Sequence, residues 1–554
     1  MKKIHSFNLI IITCLTASLP IHAQFLVNGK RTVYDKRSNT YLINIPEKNF
    51  GKNYPATITL EPDSAWSHLK LEENDTEYGY TFKQVEADKT YQLQAKRGNQ
   101  DINAKIAFTF LPIIDLQGNF GYNFANGRLS LLAPDNSEPI ITLLKAKWRG
   151  GSTNTENRHK RNYKIKILNS EGKSQDISFL GMREDNNWIL DAGQVDLFRV
   201  RNRIATELWN DMATKPYYTE KEPKAKSGVE GKVVEVILNN EYAGIYSLTE
   251  AMDRKEMKLK KYDDKKQEFH GQMWKSSSWD GSTFWEAQDN YDNTQECWRA
   301  FETKYPDIED VNPTDYSPLY DAINLVANGD DETFKKEVSD YFDIPVLIDY
   351  QILLEMTNAI DNIGKNLYWA IYDRTKSKKL TLAIWDLDAT VGQFYKDDPL
   401  HPDVVSPTNE LSIKTFNIYN RLMLLNVDNY NQRVAYRYKE LRKSFLSEQS
   451  LLERYETYYN LLKNSGAAQR EEVRWSGDSD LAGNQLDFDK EIEYIKDWIQ
   501  KRLAYLDSEN SPLLTAIKQP SFPNKKNLPI YNIMGQKVSN SYKGIKIIKG
   551  KKYI

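Results

Sequence analysis

Cysteine is nearly absent. The 554-residue chain has two, Cys14 and Cys297. Cys14 falls in an N-terminal leader-like segment, so Cys297 stands alone and an intrachain disulfide is excluded. Stability must then come from packed cores, which a chain of this length can bury. Histidine is also scarce, with six residues. There is no G-x-S-x-G, no H-E-x-x-H, no C-x-x-C and no G-x-x-x-x-G-K-[ST]. These absences argue against a serine triad, a His-based zinc site, a dithiol redox centre and a P-loop. An excess of either charge is missing too. The formal net charge is −2, which speaks against a dedicated nucleic-acid partner. No apolar run reaches the ~20 residues that span a bilayer.

What is there begins with a leader. Lys2 and Lys3 precede the apolar stretch from Leu9 to Leu19, and Pro20, Ile21, His22 and Ala23 follow it. This is the order of a secretory signal peptide, with cleavage after Ala23. Ile12 and Thr13 do not fit a lipoprotein site at Cys14. An exported protein results, in the periplasm, at the cell surface or secreted.

Residues 24–135 read as strands. Thr40–Ile45, Ala56–Leu60, Thr90–Ala95 and Lys105–Phe110 alternate apolar with polar, with turn residues between them. The expectation is a self-contained β-sandwich domain without catalytic residues. From residue 136 to about 510 the pattern mixes helix and strand, giving an α+β class overall. The spacing predicts a helix over Val195–Met212, a hairpin of Val233–Leu238 with Tyr242–Thr249, and a helix from Pro345 to Ala359. A buried strand is expected at Leu380–Trp385 and a last helix over Asp489–Asp507. Pro520, Pro523 and Pro529 punctuate a linker, and residues 511–554 close the chain with two short β runs. That tail resembles, in short form, the C-terminal sorting segment of type IX secretion cargo.

The chemistry-bearing residues are acidic. Asp361 leaves a helix, and Asn366 follows five residues later. Asp386 ends a strand, with Asp388 on the same side. Carboxylate and amide oxygens form the hard set that Mg²⁺ takes. A separate Asp can orient and deprotonate an attacking hydroxyl. Upstream, Arg149-Gly150-Gly151-Ser152 forms a small-residue turn before the basic strand carrying Lys164 and Lys166. Such a turn lets backbone approach phosphate, and a following lysine can pair with its charge. Read alone, each piece also fits a turn or a solvated basic face.

In order, the pieces resemble the CotH (spore coat protein H) kinase-like family. They are Arg149–Ser152, Lys164–Lys166, Asp196–Asn202, Glu241–Glu250, Asp361–Tyr368, and Trp385–Asp388 with Gly392. Arg474-Trp475 and Arg502 sit where the family carries such residues. The resemblance runs from about residue 140 to about residue 508. It implies an atypical protein-kinase-like domain behind the β-sandwich, transferring phosphoryl from ATP to Ser or Thr of exported proteins. Carried over, Asp361 is the catalytic-loop Asp. Asn366, Asp386 and Asp388 are ligands of Mg²⁺ or Mn²⁺. Arg149, Gly150, Gly151 and either Lys164 or Lys166 hold phosphates. Glu250 lies at the hinge beside adenine, and Glu207 or Asp196 is the partner of the phosphate lysine. Two other readings stay open. One is a non-catalytic surface module on the same fold that binds glycan or protein. The other is a glycan-acting enzyme using Asp361 and Asp386.

The leader generates the first prediction. The mature protein begins at Gln24 and is recovered outside the cytoplasm. Mass spectrometry of the N-terminal peptide checks this, and Met1 retained on the exported protein would refute it.

Overall fold

A computed structural model describes residues 25–60, 77–97, 100–151, 153–395 and 402–514, with four short strands between 530 and 553. The leader lies outside the described residues. No helix among them is long and apolar enough to cross a membrane.

The first hundred residues build two four-stranded sheets. One contains Phe25–Val27, Lys30–Arg31, Tyr54–Leu60 and Glu77–Phe82. The other contains Val33–Asp35, Thr40–Asn44, Thr90–Arg97 and Gln100–Thr109. Alternation sends Phe25, Ile43, Ile58, Phe82, Leu93 and Phe108 into one common core. Phe82, Tyr91 and Phe108 meet edge to face there, with ring centroids 5.0 to 5.8 Å apart.

These sheets end at Thr109, well before residue 135. Ile113–Gly118 and Ala125–Leu132 instead belong to a closed seven-stranded barrel. It continues through Ile140–Arg149, Asn162–Leu168, Asn187–Asp191, Glu241–Glu250 and Gly231–Leu238. Alternation is the same in both settings, so the pattern alone does not assign a strand to its sheet. The deciding fact is burial on both faces. Ile114 and Leu116 fill the barrel, while Ile113 packs with Val33, Leu42 and Ala107 of the N-terminal sheets. Asn44 also donates from its amide to the carbonyls of Leu111 (3.1 Å) and Leu132 (2.6 Å). The N-terminal sheets therefore keep a core of their own and also pack against the barrel through a smaller shared cluster.

Inside the barrel, Tyr163, Ile165 and Ile167 pack against Leu144, Trp188, Val234, Tyr246 and Leu248. The alternate residues Lys164 and Lys166 face outward. The predicted hairpin forms, and Asn239 and Asn240 supply its positive φ at 50° and 62°.

The predicted Val195 helix starts late, at Arg201. Arg199 is left-handed (φ 66°), and the Asp196 carboxylate accepts the amide hydrogens of Phe198 and Arg201, each at 2.8 Å. A capped turn of this kind imitates helical spacing. Beyond it lies a five-stranded sheet: Cys297–Trp298, Phe301–Tyr305, Gln272–Ser276, Leu367–Ile371 and Leu380–Ile384. Helix Ile344–Thr357 is buried on nearly every side, as an apolar helix with Pro in its first turn must be. The last helix, Phe488–Leu506, falls where expected, capped by Asp487. The tail strands Ile530–Tyr531, Lys537–Val538, Lys546–Ile548 and Lys551–Tyr553 pair in one small sheet, where two β runs were expected.

Helix Ala467–Trp475 clamps the barrel to the C-terminal helices. Its Glu471 is fully buried. It accepts from Lys160 Nζ (2.8 Å), Arg199 Nε (2.7 Å) and the Ile245 amide (2.7 Å). One residue earlier, Arg470 pairs with buried Glu235 at 2.8 Å. Gly244 has to be glycine: its φ is 110°, and a Cβ there would collide with the Glu471 carboxylate.

Removing one side of a buried ion pair leaves the other charge uncompensated. Glu471→Ala should therefore cost about 3–5 kcal/mol of stability. Urea unfolding measures this, and a loss under ~1 kcal/mol would contradict the clamp.

Candidate active site

The loop after helix Ile344–Thr357 carries Asp361. The helix ends in left-handed Asn358, and Gly364 and Asn366 take positive φ before strand Leu367–Ile371 begins. This folds the loop back on itself. Asp361 Oδ2 accepts from Asn366 Nδ2 at 2.7 Å, and its Oδ1 lies 2.8 Å from Lys365 Nζ. Burial raises the Asp361 pKa, and Lys365 opposes that. Asn362 donates to the carbonyl of Trp385 at 2.8 Å, which joins this loop to the next.

Strand Leu380–Ile384 delivers Trp385-Asp386-Leu387-Asp388 to the same place. Asp386 is exposed at φ 58°, and Asp388 is half-buried. Asn202, on helix Arg201–Met212, accepts the Leu387 amide hydrogen (2.9 Å) and donates to Asp191 Oδ2 (2.7 Å). Burial pushes Asp388 well up, and the charges of Asp386, Asp191 and Asp361 add to this. Asp191 is raised as well, by burial first. Four carboxylates thus converge from three elements. No three of them close to within 4.8 Å; among the described residues, the groups that do are His159/Asp478/Asp480 and Asp263/Glu268/His270.

Arg149 ends its barrel strand with its guanidinium 5.1 Å from the Trp385 ring centre, and Lys275 lies 5.8 Å from the same ring. Between barrel and sheet runs a narrow cleft. It encloses about 20 Å³, and Arg149, Ile189, Asp191, Val229, Ile384 and Asp386 are among the residues that line it. Gly150 needs its freedom, with φ 119° and no room for a Cβ beside Thr153. Gly151 faces open space, and Ser152 lies outside the described residues.

A family described as CotH kinase protein matches residues 146–506. The chain belongs to the CotH kinase family. No curated protein matches it significantly. The match starts inside barrel strand Ile140–Arg149 and stops at the end of helix Phe488–Leu506. Family membership agrees with a kinase-like fold of mixed α+β structure.

The geometry brings Asp361, Asn366, Asp386, Asp388 and Arg149 together. It does not bear out three other expectations. Glu250 is buried, and its carboxylate accepts the amide hydrogens of Arg183 (3.0 Å) and Glu230 (3.2 Å), so it holds backbone and is not available to a ligand. Glu207 bonds Tyr458, and Asp196 pairs with Arg201 at 2.7 Å, so neither serves Lys164 or Lys166. Asp196 lies in the turn before the helix, and Glu207 faces Tyr458 of helix Glu448–Asn464. Lys164 and Lys166 both lie on the outer barrel face, Lys166 with its ammonium 5.2 Å from the Phe124 ring centre.

Sequence reasoning missed Asp191 and assigned no role to Asn202. Asp191 carries the same signal that marked Asp386, a strand ending in Asp. Asn202 looks like any helix residue until its two partners are seen.

Asn202→Ala should cost about 1–3 kcal/mol, because it strands a buried carboxylate. Asp386→Asn should hold within about 0.5 kcal/mol or gain, since it keeps the left-handed preference and removes like-charge repulsion. Paired chemical denaturation curves test the contrast. Equal effects would mean that Asn202 does not organise the turn.

Proposed function

We propose that the chain is an exported phosphotransferase that moves the terminal phosphoryl of ATP to Ser or Thr hydroxyls of exported proteins. The observation that carries this is the held Asp361 beside a carboxylate cluster at the mouth of a cleft. The N-terminal sheets, facing each other across one core, are read as a sandwich-type accessory to this domain.

The residues fit a divalent cation, Mg²⁺ or Mn²⁺. The Asn366 amide nitrogen bonds Asp361, so its oxygen is the group left for a metal. Asp386 is exposed, and Asp388 stands among like charges that a cation would relieve. Mg²⁺ commonly uses one or two carboxylates together with phosphate oxygens, so a protein cage tighter than 4.8 Å is not needed. When bound, the metal–nucleotide supplies the phosphoryl group and offsets its charge. Arg149, beside Trp385 at the acidic turn, binds phosphate. Asp361 orients the acceptor hydroxyl and takes its proton at a carboxylate oxygen. Lys365 and Asn366 hold that carboxylate in place.

A second reading rests on Trp279 and Trp285. Both are exposed, and both line an open pocket of about 650 Å³ beside Ile360 and Ile363. A surface module that binds glycan or protein would use that pocket and need no nucleotide.

The two readings separate by assay. Asp361→Asn should leave Mg–ATP affinity nearly unchanged while transfer falls ~10²–10⁴-fold, the size of lost general-base help. Asp386→Ala should abolish metal-dependent nucleotide binding. Calorimetry and radiolabel transfer measure the two effects. No nucleotide binding by the wild-type chain would leave the surface-module reading.

A further inference from the structure

The cleft carries more positive charge than a metal–nucleotide uses. Lys147 stands directly opposite Lys164 on the neighbouring barrel strand, and Lys145 opposite Lys166. Like charges so placed across a strand pair are destabilising. All four are half-buried, and among the described residues none has a carboxylate within ion-pair distance. Lys145, Lys147 and Lys166 instead gather around the Phe124 ring at 5.0 to 5.6 Å. Across the cleft, Lys275 and Lys304 lie on adjacent strands of the five-stranded sheet. The two sides sense each other. Burial lowers Lys304 to about 8, with Lys275 and Lys164 adding to the effect. Burial, then Lys166, Lys147 and Arg149, lowers Lys164.

A metal-bound triphosphate, partly neutralised by its metal, is matched by the cations nearest Asp386, which are Arg149 and Lys275. Lys304 pairs with Glu302 on its own strand, and Lys147, Lys164 and Lys166 are left over. They also lie in a line. Along the outer face of strand Ile140–Arg149 come Ile141 (53% exposed), Leu143 (45% exposed), Lys145, Lys147 and then Arg149 at the site. From Leu143 to Arg149 is about 20 Å of extended chain. That track is apolar at its far end and basic toward the chemistry.

We propose that Lys147, Lys164 and Lys166 form the acceptor-binding surface beside the cleft, and that the acceptor is an acidic polypeptide segment with Asp or Glu beside its hydroxyl residue. This rests on the phosphotransferase reading of the same cleft. A nucleic acid fits less well, because Phe124 is capped by ammonium groups and is not open to stack on a base. Ile141 and Leu143 also offer contacts that apolar side chains can use and a phosphate backbone cannot.

The test uses the full mature chain and a fluorescein-labelled serine peptide rich in glutamate, with glutamine and lysine counterparts. Fluorescence anisotropy is read with saturating Mg–ADP present. The glutamate peptide should bind at least ~10-fold tighter than the glutamine peptide and weaken as salt rises. Lys147→Gln with Lys164→Gln should erase most of that difference. The thermal midpoint should stay or rise, because a repulsive pair is removed. Equal affinity for the glutamate and glutamine peptides overturns the proposal. So does displacement of the peptide by Mg–ADP, which would assign the lysines to nucleotide phosphates. A DNA oligonucleotide that binds as tightly as the peptide overturns the choice of polypeptide. Peptide binding without any phosphoryl transfer supports the surface and defeats only the phosphotransferase reading. Transfer with equal kcat/KM to all three peptides does the reverse.

Discussion

The Glu471 carboxylate is where the barrel, the turn before helix Arg201–Met212 and the C-terminal helices meet. Three donors from three segments converge on it, two of them cations buried with it. Arg199 passes the constraint on. Its guanidinium also holds the carbonyls of Gly193 and Gln194, so the turn that follows Asp191 is clamped. Asp191 bonds Asn202, and Asn202 holds the Leu387 amide between Asp386 and Asp388. A chain of hydrogen bonds therefore links a buried helix contact to the acidic turn of the site. The same device recurs deeper, where Arg502 donates to the Glu355 carbonyl at 2.8 Å and pairs with its carboxylate at 3.3 Å. Buried pairs of this kind add little net stability against apolar packing. Their contribution is direction: a charged fork accepts one arrangement of its neighbours.

The site sets repulsion against that rigidity. Asp191, Asp361 and Asp388 are gathered with exposed Asp386 where burial already disfavours the charge of those three, and two lysine pairs face each other on the barrel. Packing elsewhere must hold these groups in place. Ligands that carry the opposite charges relieve the conflict, which is how a rigid fold can favour a cation at one end of a cleft and anions along the rest.

Much of this was legible in the sequence. Strands ending in Asp put Asp386 and, by the same logic, Asp191 at a sheet edge. The Asp361–Asn366 spacing closed as a loop because Gly364 and Asn366 tolerate positive φ. Alternation placed Lys164 and Lys166 on one face. Other features were hidden for physical reasons. Glu250 sits in a motif but ends a strand whose neighbours bury it, and two backbone amides take its oxygens. Asp196 made a capped turn look like a helix. The boundary near residue 110 was invisible, because a strand bound for a barrel and one bound for an open sheet alternate alike. Only the second buried face, carried by Ile113, Leu132 and Ile237, tells them apart.

The family match begins at residue 146, yet the barrel it enters is closed by Ile113–Gly118 and Ala125–Leu132, upstream of that point. Ile113–Gly118 runs parallel to Gly231–Leu238 and pairs on its other side with Ala125–Leu132, which holds Ile140–Arg149 in turn. The matched region and the stretch before it are thus woven into one ring. A cut of the chain at residue 146 would open that ring and leave two half-barrels with bare edges.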